Sequence, residues 1–561
     1  MTSKSPYPDL IIPDIDLWDF LFQRQNRSFP GSQDENNANW VIQKVILTDV
    51  RTGRRYTFDD LRKLSLHLGS RLQERLQWRT GDVLTIVSMN AIDIPPIIWG
   101  TLAIGGVVSP VNPNFSATEL VHYLKVSQSK AIVTQKSQYA KVAQAAEGAG
   151  LAKDRIIVID DTTELSGDSI WQPDPYLIPD YKFTSVHKSP ITRPKEELAF
   201  LVFSSGTTGL PKGVMLSHTN IVANLLQMEA VDAGYLDSTD RALAFLPFFH
   251  IYGITCLINY GLFLGMSTYI MPRFDLESFC NVVQNQKITY VYAVPPVVLQ
   301  IVQNPIVEKY NLSSIRLINC AAAPLPTELI RTLRTKFGLS IRQQYGMSEC
   351  SPCTHSQTKQ EGDEHPGAVG RLVPNVTAKY VPIAGEEVRP GRAEGELWVK
   401  GPNVFLGYLN NPAATKESFS RDGFYKTGDI GYEDAYGNFV LTDRIKELIK
   451  YNGFQVPPAE LESLLLGHPA VADVAVVGIP SGQAGSELPR AYIKAKENSQ
   501  GDRKTADDIV EYSNVAGARA GARAEVLDIS STSVYHQICV RTLPCADNSG
   551  IWSANTDSGD G

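Results

Sequence analysis

The chain is expected to fold as an α/β protein in which mostly parallel sheets are covered by helices. Three observations predict this. Its 561 residues exceed what one core serves and suit about two to four domains. Across residues 40–200, short apolar runs such as "DVLTIVSM" and "KAIVTQ" alternate with amphipathic stretches such as "FDDLRKLSLHLGSRLQERL". The same pattern returns in "RALAFLP", "KITYVYAVP" and "IRLINCAAAPLP". Strand–helix alternation of this kind calls for parallel sheets with helical faces.

The N-terminal stretch "MTSKSPYPDLIIPDIDLWDF" lacks a basic segment followed by an apolar one, so no signal peptide is expected. Two uncharged stretches invite a membrane reading. Ile94 to Pro113 holds four prolines, too many for a spanning helix of about 20 residues. Ala242 to Pro272 carries Pro247, His250 and Asn259, which suits a buried strand, a loop and a core helix. Near "VLTDRIKELIKYNGFQVPPAELESLLLGH" the signals shorten, and a domain boundary is expected at Asp443. In "PPAELESLLLGH", prolines open a helix and glycine closes it. This divides the chain into residues 1–443, 444–515 and an atypical tail, 516–561. The tail loses helical periodicity after about Leu527 and ends rich in Ser, Asn, Asp and Gly, so disorder is expected there.

Composition narrows the function. With 43% apolar and 20% charged residues the chain is globular in character, and a net charge of −8 argues against nucleic acid as a partner. The seven cysteines form no C-x-x-C pairs, so neither a disulfide framework nor a zinc site is expected.

The most informative stretch is "LVFSSGTTGLPKGVMLSH". It is not a Walker A loop, because Pro211 stands where that motif needs glycine. Its chemistry is related nonetheless. Gly206 and Gly209 let backbone amides approach an anion, Ser204, Ser205, Thr207 and Thr208 add hydroxyls, and Lys212 adds charge. A flexible Gly/Thr turn is the plainer reading, and the density of donors favours the phosphate cradle. Further on, "QQYGMSE" places Glu349 just past a strand, where a carboxylate suits Mg²⁺, and Tyr345 where a ring could stack on a base. Asp429 in "YKTGD" has two acceptor oxygens, matching a ribose diol as well as an ordinary turn.

Taken in order, "SSGTTGLPKGVMLSH", "QQYGMSE", "YKTGD" and "DRIKELIKYNGFQVPPAELE" resemble the motif series of the adenylate-forming superfamily, over about residues 15–510. "FQVPPAELE" and "PFFHIYG" resemble the 4-coumarate–CoA ligase-like branch. The resemblance implies a large AMP-binding domain with a β-barrel-like subdomain, and a small, mobile α+β C-terminal domain. It implies ATP, Mg²⁺ and CoA as cofactors, and a small-molecule carboxylic acid as substrate. Neither nucleic acid nor an integral membrane segment is implied.

The resemblance also distributes roles. Tyr345, Gly346 and Ser348, with Ala322 and Ala323 of "CAAAPL", border the nucleotide, and Glu349 holds the metal. Arg444 joins Asp429 at the ribose, and Lys446 is the hinge. His250 borders the acyl carboxylate, whereas a lone histidine in an apolar run is more often a core residue. Lys450 and Gln455 lie near the adenylate and the incoming thiol, and Asn452 with Gly453 near CoA. Phe249, Tyr252, Asn319 and Ala321 line the acyl pocket. Phe249 and Asn319 stand where plant coumarate ligases often carry tyrosine and lysine, so a more apolar acid is expected than a hydroxycinnamate.

The implied reaction has two steps: the acid attacks the α-phosphate of ATP, then CoA displaces AMP from the acyl-adenylate. Loading of a carrier protein is a second reading. It is weakened by the absence of an aspartate near "FFH" and of any carrier segment. A catalytically impaired nucleotide-binding relative is a third, favoured by the tail. The family's closing P-K-x-x-x-G-K motif has no match here, and the last lysine is Lys504. Arginines such as Arg519, Arg523 and Arg541 do not replace it freely. Similarity fades at Ile509 to Asn514, which points to a frameshift or retained intron, with a real truncation as the competitor. The expected location is the cytoplasm, or the peroxisome if the natural C-terminus has been lost.

Overall fold

A computed structural model describes residues 2–23, 43–160, 170–171, 191–204, 211–382, 394–445, 448–451, 454–456, 458–480, 487–495, 504–505, 508–509, 522–532 and 535–544. It is mixed α/β, as expected. Two compact units emerge. The first comprises Met1–Lys379, Trp398–Lys426 and Glu433–Val440; the second comprises Tyr380–Leu397, Thr427–Tyr432 and Leu441–Gly561. A single cut at Asp443 therefore differs from the observed division. The strands Thr377–Val381, Gly395–Lys400 and Phe439–Arg444 each cross one of its borders, and Tyr425–Glu433 crosses two. Strand pairing groups segments that are distant in sequence, which a linear reading of periodicity does not register.

The first unit holds two large sheets. One has seven strands, with Val83–Val87 between Val107–Val111 and Ser129–Thr134 and parallel to both. Leu198–Ser204 joins it in parallel and then pairs antiparallel with Lys212–Ser217. The other has nine strands; Val45–Asp49, Ser267–Ile270, Arg241–Ala244, Tyr290–Ala293, Leu317–Cys320 and Ile341–Gly346 run parallel in that spatial order. Ligands of open α/β sheets bind beyond the carboxyl ends of parallel strands. The segments that follow Arg241–Ala244, Leu317–Cys320 and Ile341–Gly346 carry His250, Ala322 and Glu349.

Local signals explain the helices. Phe58–Leu76 starts where Thr57 and Asp60 exchange hydrogen bonds in a capping box, and it buries Leu61, Leu64, Leu68 and Leu72 on one face. Both stretches that invited a membrane reading are core elements. Ile94–Ala103 is a buried helix with prolines in its first turn, followed by the strand Val107–Val111. Residues 241–270 form a strand, a loop, the π-helical turn Gly253–Asn259, the helix Tyr260–Leu264 and a strand. Among the described residues no helix is long and apolar enough to cross a membrane. Gly253 is required by close approach: a Cβ there would lie 2.2 Å from the Pro247 carbonyl oxygen.

In the second unit, Ile449, Leu461, Leu465, Val471, Val476, Ala491, Ile493 and Ile509 form one core. Val471–Pro480 and Glu487–Ala495 belong to a four-stranded antiparallel sheet. Its other strands, Tyr535–Pro544 and Ala522–Thr532, fall in the tail that was expected to be disordered. That pairing has a compositional reason. "SVYHQICVRTLP" is rich in Val, Tyr, Ile and Thr, which favour strands. The polar ending masked that local preference.

Two histidines in the first unit make folding sensitive to acid. His218, the first residue of the helix His218–Asp232, has no exposed surface and accepts a hydrogen bond from the Leu17 N–H at 3.2 Å. His355 is equally buried. Burial lowers both pKa values from 6.5 to about 3. The unfolded chain protonates near 6.5, so the stability from keeping both rings neutral is complete above that pH. It is lost as pH falls toward 3. Denaturant unfolding at pH 7.5, 5.5 and 4.5 is expected to show a decline approaching about 1.4 kcal/mol per pH unit per histidine. His218→Gln with His355→Gln is expected to flatten that slope; an unchanged slope would contradict the assignment.

Candidate active site

The phosphate-loop reading centres on a hairpin. Ser204, which ends Leu198–Ser204, pairs directly with Lys212, which opens Lys212–Ser217. Ser205, Gly206, Thr207, Thr208 and Gly209 lie outside the described residues. At the neck, Ser204 Oγ donates to Glu349 Oε1 at 3.1 Å. Tyr408 OH donates to the same oxygen at 3.0 Å. Burial, then the Glu349 carboxylate, push the Tyr408 phenol well above its ordinary pKa, so it remains a donor. Lys212 Nζ lies 5.0 Å from the Tyr408 ring centroid, over a face that attracts cations. Glu349 is only 7% exposed, and its carboxylate accepts from two hydroxyls. That oxygen-rich, anionic environment fits a hard cation such as Mg²⁺.

Tyr408 was not anticipated. Nothing in "FLGYLNNP" marks it, and it arrives because Gly407–Tyr408 pairs with Lys212–Ser217.

Beyond the strand Arg241–Ala244, the Tyr252 backbone N–H donates to His250 Nδ1 at 3.2 Å. This fixes the proton of the neutral ring on Nε2. The imidazole edge is exposed, while the protein packed around it lowers its pKa by desolvation. At neutral pH, His250 therefore offers an Nε2–H donor without positive charge. Phe249 is half-buried and Tyr252 buried.

Asn319, expected at the acyl wall, has no exposed surface, and its amide is spent on Tyr252, Gln344 and Arg342. A strand interior closes over it, which the residue type alone did not reveal.

The segment after Leu317–Cys320 buries Ala321 and exposes Ala322 and Ala323. Ala322 sits at φ +76, a left-handed conformation that favours glycine. Tyr345 is 7% exposed and packs edge-on against His355 and Phe439, at 5.6 and 5.2 Å between centroids. Gly346 has a packing reason of its own: a Cβ would meet the Pro352 carbonyl oxygen at 2.0 Å. Ser348 and Glu349 share the short 3₁₀ turn Ser348–Cys350.

The second unit carries the remaining residues. Asp429 is 3% exposed, and Arg444 Nε donates to its Oδ1 at 2.8 Å. The Asp429 N–H in turn donates to Thr427 Oγ1 at 3.1 Å. Lys450 and Gln455 are direct cross-strand partners in the hairpin of Ile449–Tyr451 and Phe454–Val456. Their side chains lie outside what is described, as do Lys446, Asn452 and Gly453.

A model of the AMP-binding enzyme family matches residues 34–409, and the AMP-binding enzyme C-terminal domain matches residues 460–525. The chain is 37% identical over 514 residues to "Probable 4-coumarate--CoA ligase 1" of Dictyostelium discoideum, covering 88% of each chain. It is 34% identical over 519 residues to 4-coumarate:CoA ligase 1 of Petunia hybrida, covering 91% of this chain and 90% of the relative. ATP-bound MatB from Rhodopseudomonas palustris superposes with a TM-score of 0.73 at 26% identity, over 90% of this chain and 92% of the other.

Proposed function

The chain belongs to the AMP-binding enzyme family, and from that premise we propose that it is an ATP-dependent acyl-CoA ligase acting on a hydrophobic or aromatic carboxylic acid. One observation carries the reading: the Glu349 carboxylate meets Ser204 at the neck of the glycine- and hydroxyl-rich loop, with Lys212 across the hairpin. In the first step a carboxylate oxygen bonds to the α-phosphorus of ATP and pyrophosphate leaves. In the second, the CoA sulfur bonds to the acyl carbon and AMP leaves.

Phosphoryl transfer asks for positioning and charge neutralisation. Glu349 would hold Mg²⁺, which supplies Lewis-acid charge stabilisation when bound. Ser204 and Lys212 would address the phosphates, together with Ser205, Thr207 and Thr208. Asp429 and Arg444 would take the ribose, and Tyr345 would border the base. The uncharged His250 Nε2–H would donate to the acyl carboxylate without trapping it as an ion pair. Lys450 and Gln455 would serve the adenylate and thiol steps, with Lys446 as the hinge.

Incubating the full chain with ATP, Mg²⁺, CoA and a panel of aliphatic and aryl acids tests this. The expected result is AMP release that depends on both acid and CoA. AMP release that requires an acceptor protein in place of CoA would overturn the reading in favour of carrier loading. Nucleotide binding without turnover would overturn it in favour of an impaired relative, as the unmatched P-K-x-x-x-G-K motif foreshadows.

A further inference from the structure

We propose that a cavity at the C-terminal end of the helix His218–Asp232 is a second ligand site, which takes a small apolar molecule carrying an ammonium group. The inference does not depend on the ligase reading above.

The cavity has a volume of about 330 Å³, a size that suits a small molecule. Leu10, Leu226, Leu236 and Leu264 give it apolar walls, and Glu229 and Asp232 give it carboxylates. Ala233 and Gly234, both exposed, form its mouth. The walls are held in place. The Leu10 N–H donates to Asn375 Oδ1 at 3.0 Å, and the Leu10 carbonyl accepts from Asn375 Nδ2 at 3.1 Å. This pins the N-terminal segment where it closes over the cavity. Tyr260 OH donates to Asp232 Oδ2 at 2.8 Å and ties the helix Tyr260–Leu264 to the end of His218–Asp232.

Charge selects the ligand. The last turn of His218–Asp232 holds no basic residue, and the carbonyls at a helix end form the negative pole of its macrodipole. Arg342 answers Asp232 from outside the cavity wall. Among the described residues that line the cavity, none is basic. An ammonium group placed there gains the helix end and the Glu229 carboxylate, while its hydrocarbon part leaves water against the leucines. The carboxylate of an acid awaiting activation would be repelled, so this is not the acyl site. Position agrees. The helix follows directly on Lys212–Ser217, and its 15 residues set the cavity about 20 Å from the end of that strand.

The probe is 2-phenylethylamine, titrated by calorimetry into the full chain at pH 7.5 beside uncharged 2-phenylethanol. The amine is expected to bind with a Kd below about 1 mM, and the alcohol at least about 10-fold more weakly. Added 3-phenylpropanoate is expected to leave the amine in place. Glu229→Gln keeps the shape and removes a charge, and is expected to weaken the amine about 10-fold without changing the alcohol. Ala233→Trp fills the exposed mouth and is expected to abolish binding of both. Thermal unfolding establishes that each variant is folded, and Glu229→Gln carries the comparison if Ala233→Trp is not. No amine binding at about 10 mM, equal affinity for amine and alcohol, or an amine affinity unchanged in the folded variants overturns the inference. Displacement by 3-phenylpropanoate would put the probe in the acyl site and overturn it as well. The ligase reading is judged separately, by AMP release that depends on acid and CoA.

Discussion

Glu349→Gln is expected to lower acid-dependent ATP–pyrophosphate exchange by about 10²–10³-fold, equivalent to about 3–4 kcal/mol of transition-state stabilisation. The substitution isolates charge from shape. A glutamine oxygen still accepts from Ser204 Oγ and Tyr408 OH, so the turn Ser348–Cys350 keeps both of its side-chain tethers. What disappears is the anionic oxygen that would hold Mg²⁺ on the phosphates. The defect is therefore expected in the rate at saturating ATP and in a raised Mg²⁺ requirement, with the melting temperature within a few degrees of wild type. Tyr408→Phe removes one hydrogen bond to the carboxylate and leaves its charge, so a loss of only about tenfold is expected. Full exchange activity in Glu349→Gln would remove the metal role from this residue.

The second large effect concerns stability. Asp232→Ala is expected to destabilise the first unit by about 3–5 kcal/mol, because it leaves the Arg342 guanidinium buried without its counter-charge. Arg342 and Asp232 are 1% and 3% exposed. Tyr260 OH donates to Asp232 Oδ2 at 2.8 Å, and Tyr290 OH accepts from Arg342 at 2.8 Å, so the pair is embedded among hydroxyls that cannot replace a charge. Removing both charges, as in Asp232→Asn/Arg342→Met, is expected to cost much less than the sum of the single changes, since desolvation of two ions offsets most of their attraction. Urea unfolding of the single and double variants measures the coupling. Additive costs would show that the pair contributes nothing as a pair.

The buried ion pair of Arg342 with Asp232 could not be anticipated from "LSIRQQYGMSE", where an arginine beside two glutamines reads as an ordinary strand residue. Asn319 was legible only as a departure from relatives. Its three side-chain hydrogen bonds reach residues 23, 25 and 67 positions away, and no local pattern encodes those partners. Ser204 and Glu349 lie 145 positions apart, and each was identified from its own motif, but their meeting was not. Tyr408 carries no motif signal at all.

The sequence by itself determined the α/β class, the helix Phe58–Leu76, the core nature of both uncharged stretches and the ordered motif series that places the chain in its family. Those signals are local: caps, periodicity and short motifs are written in adjacent residues and act over one or two turns. Only the tertiary structure decided which polar groups share a proton, which asparagine is fully buried, and which part of the tail pairs as strands. Such outcomes depend on strand order and register, which bring distant residues within 3 Å of each other and are set by the packing of the sheets as a whole.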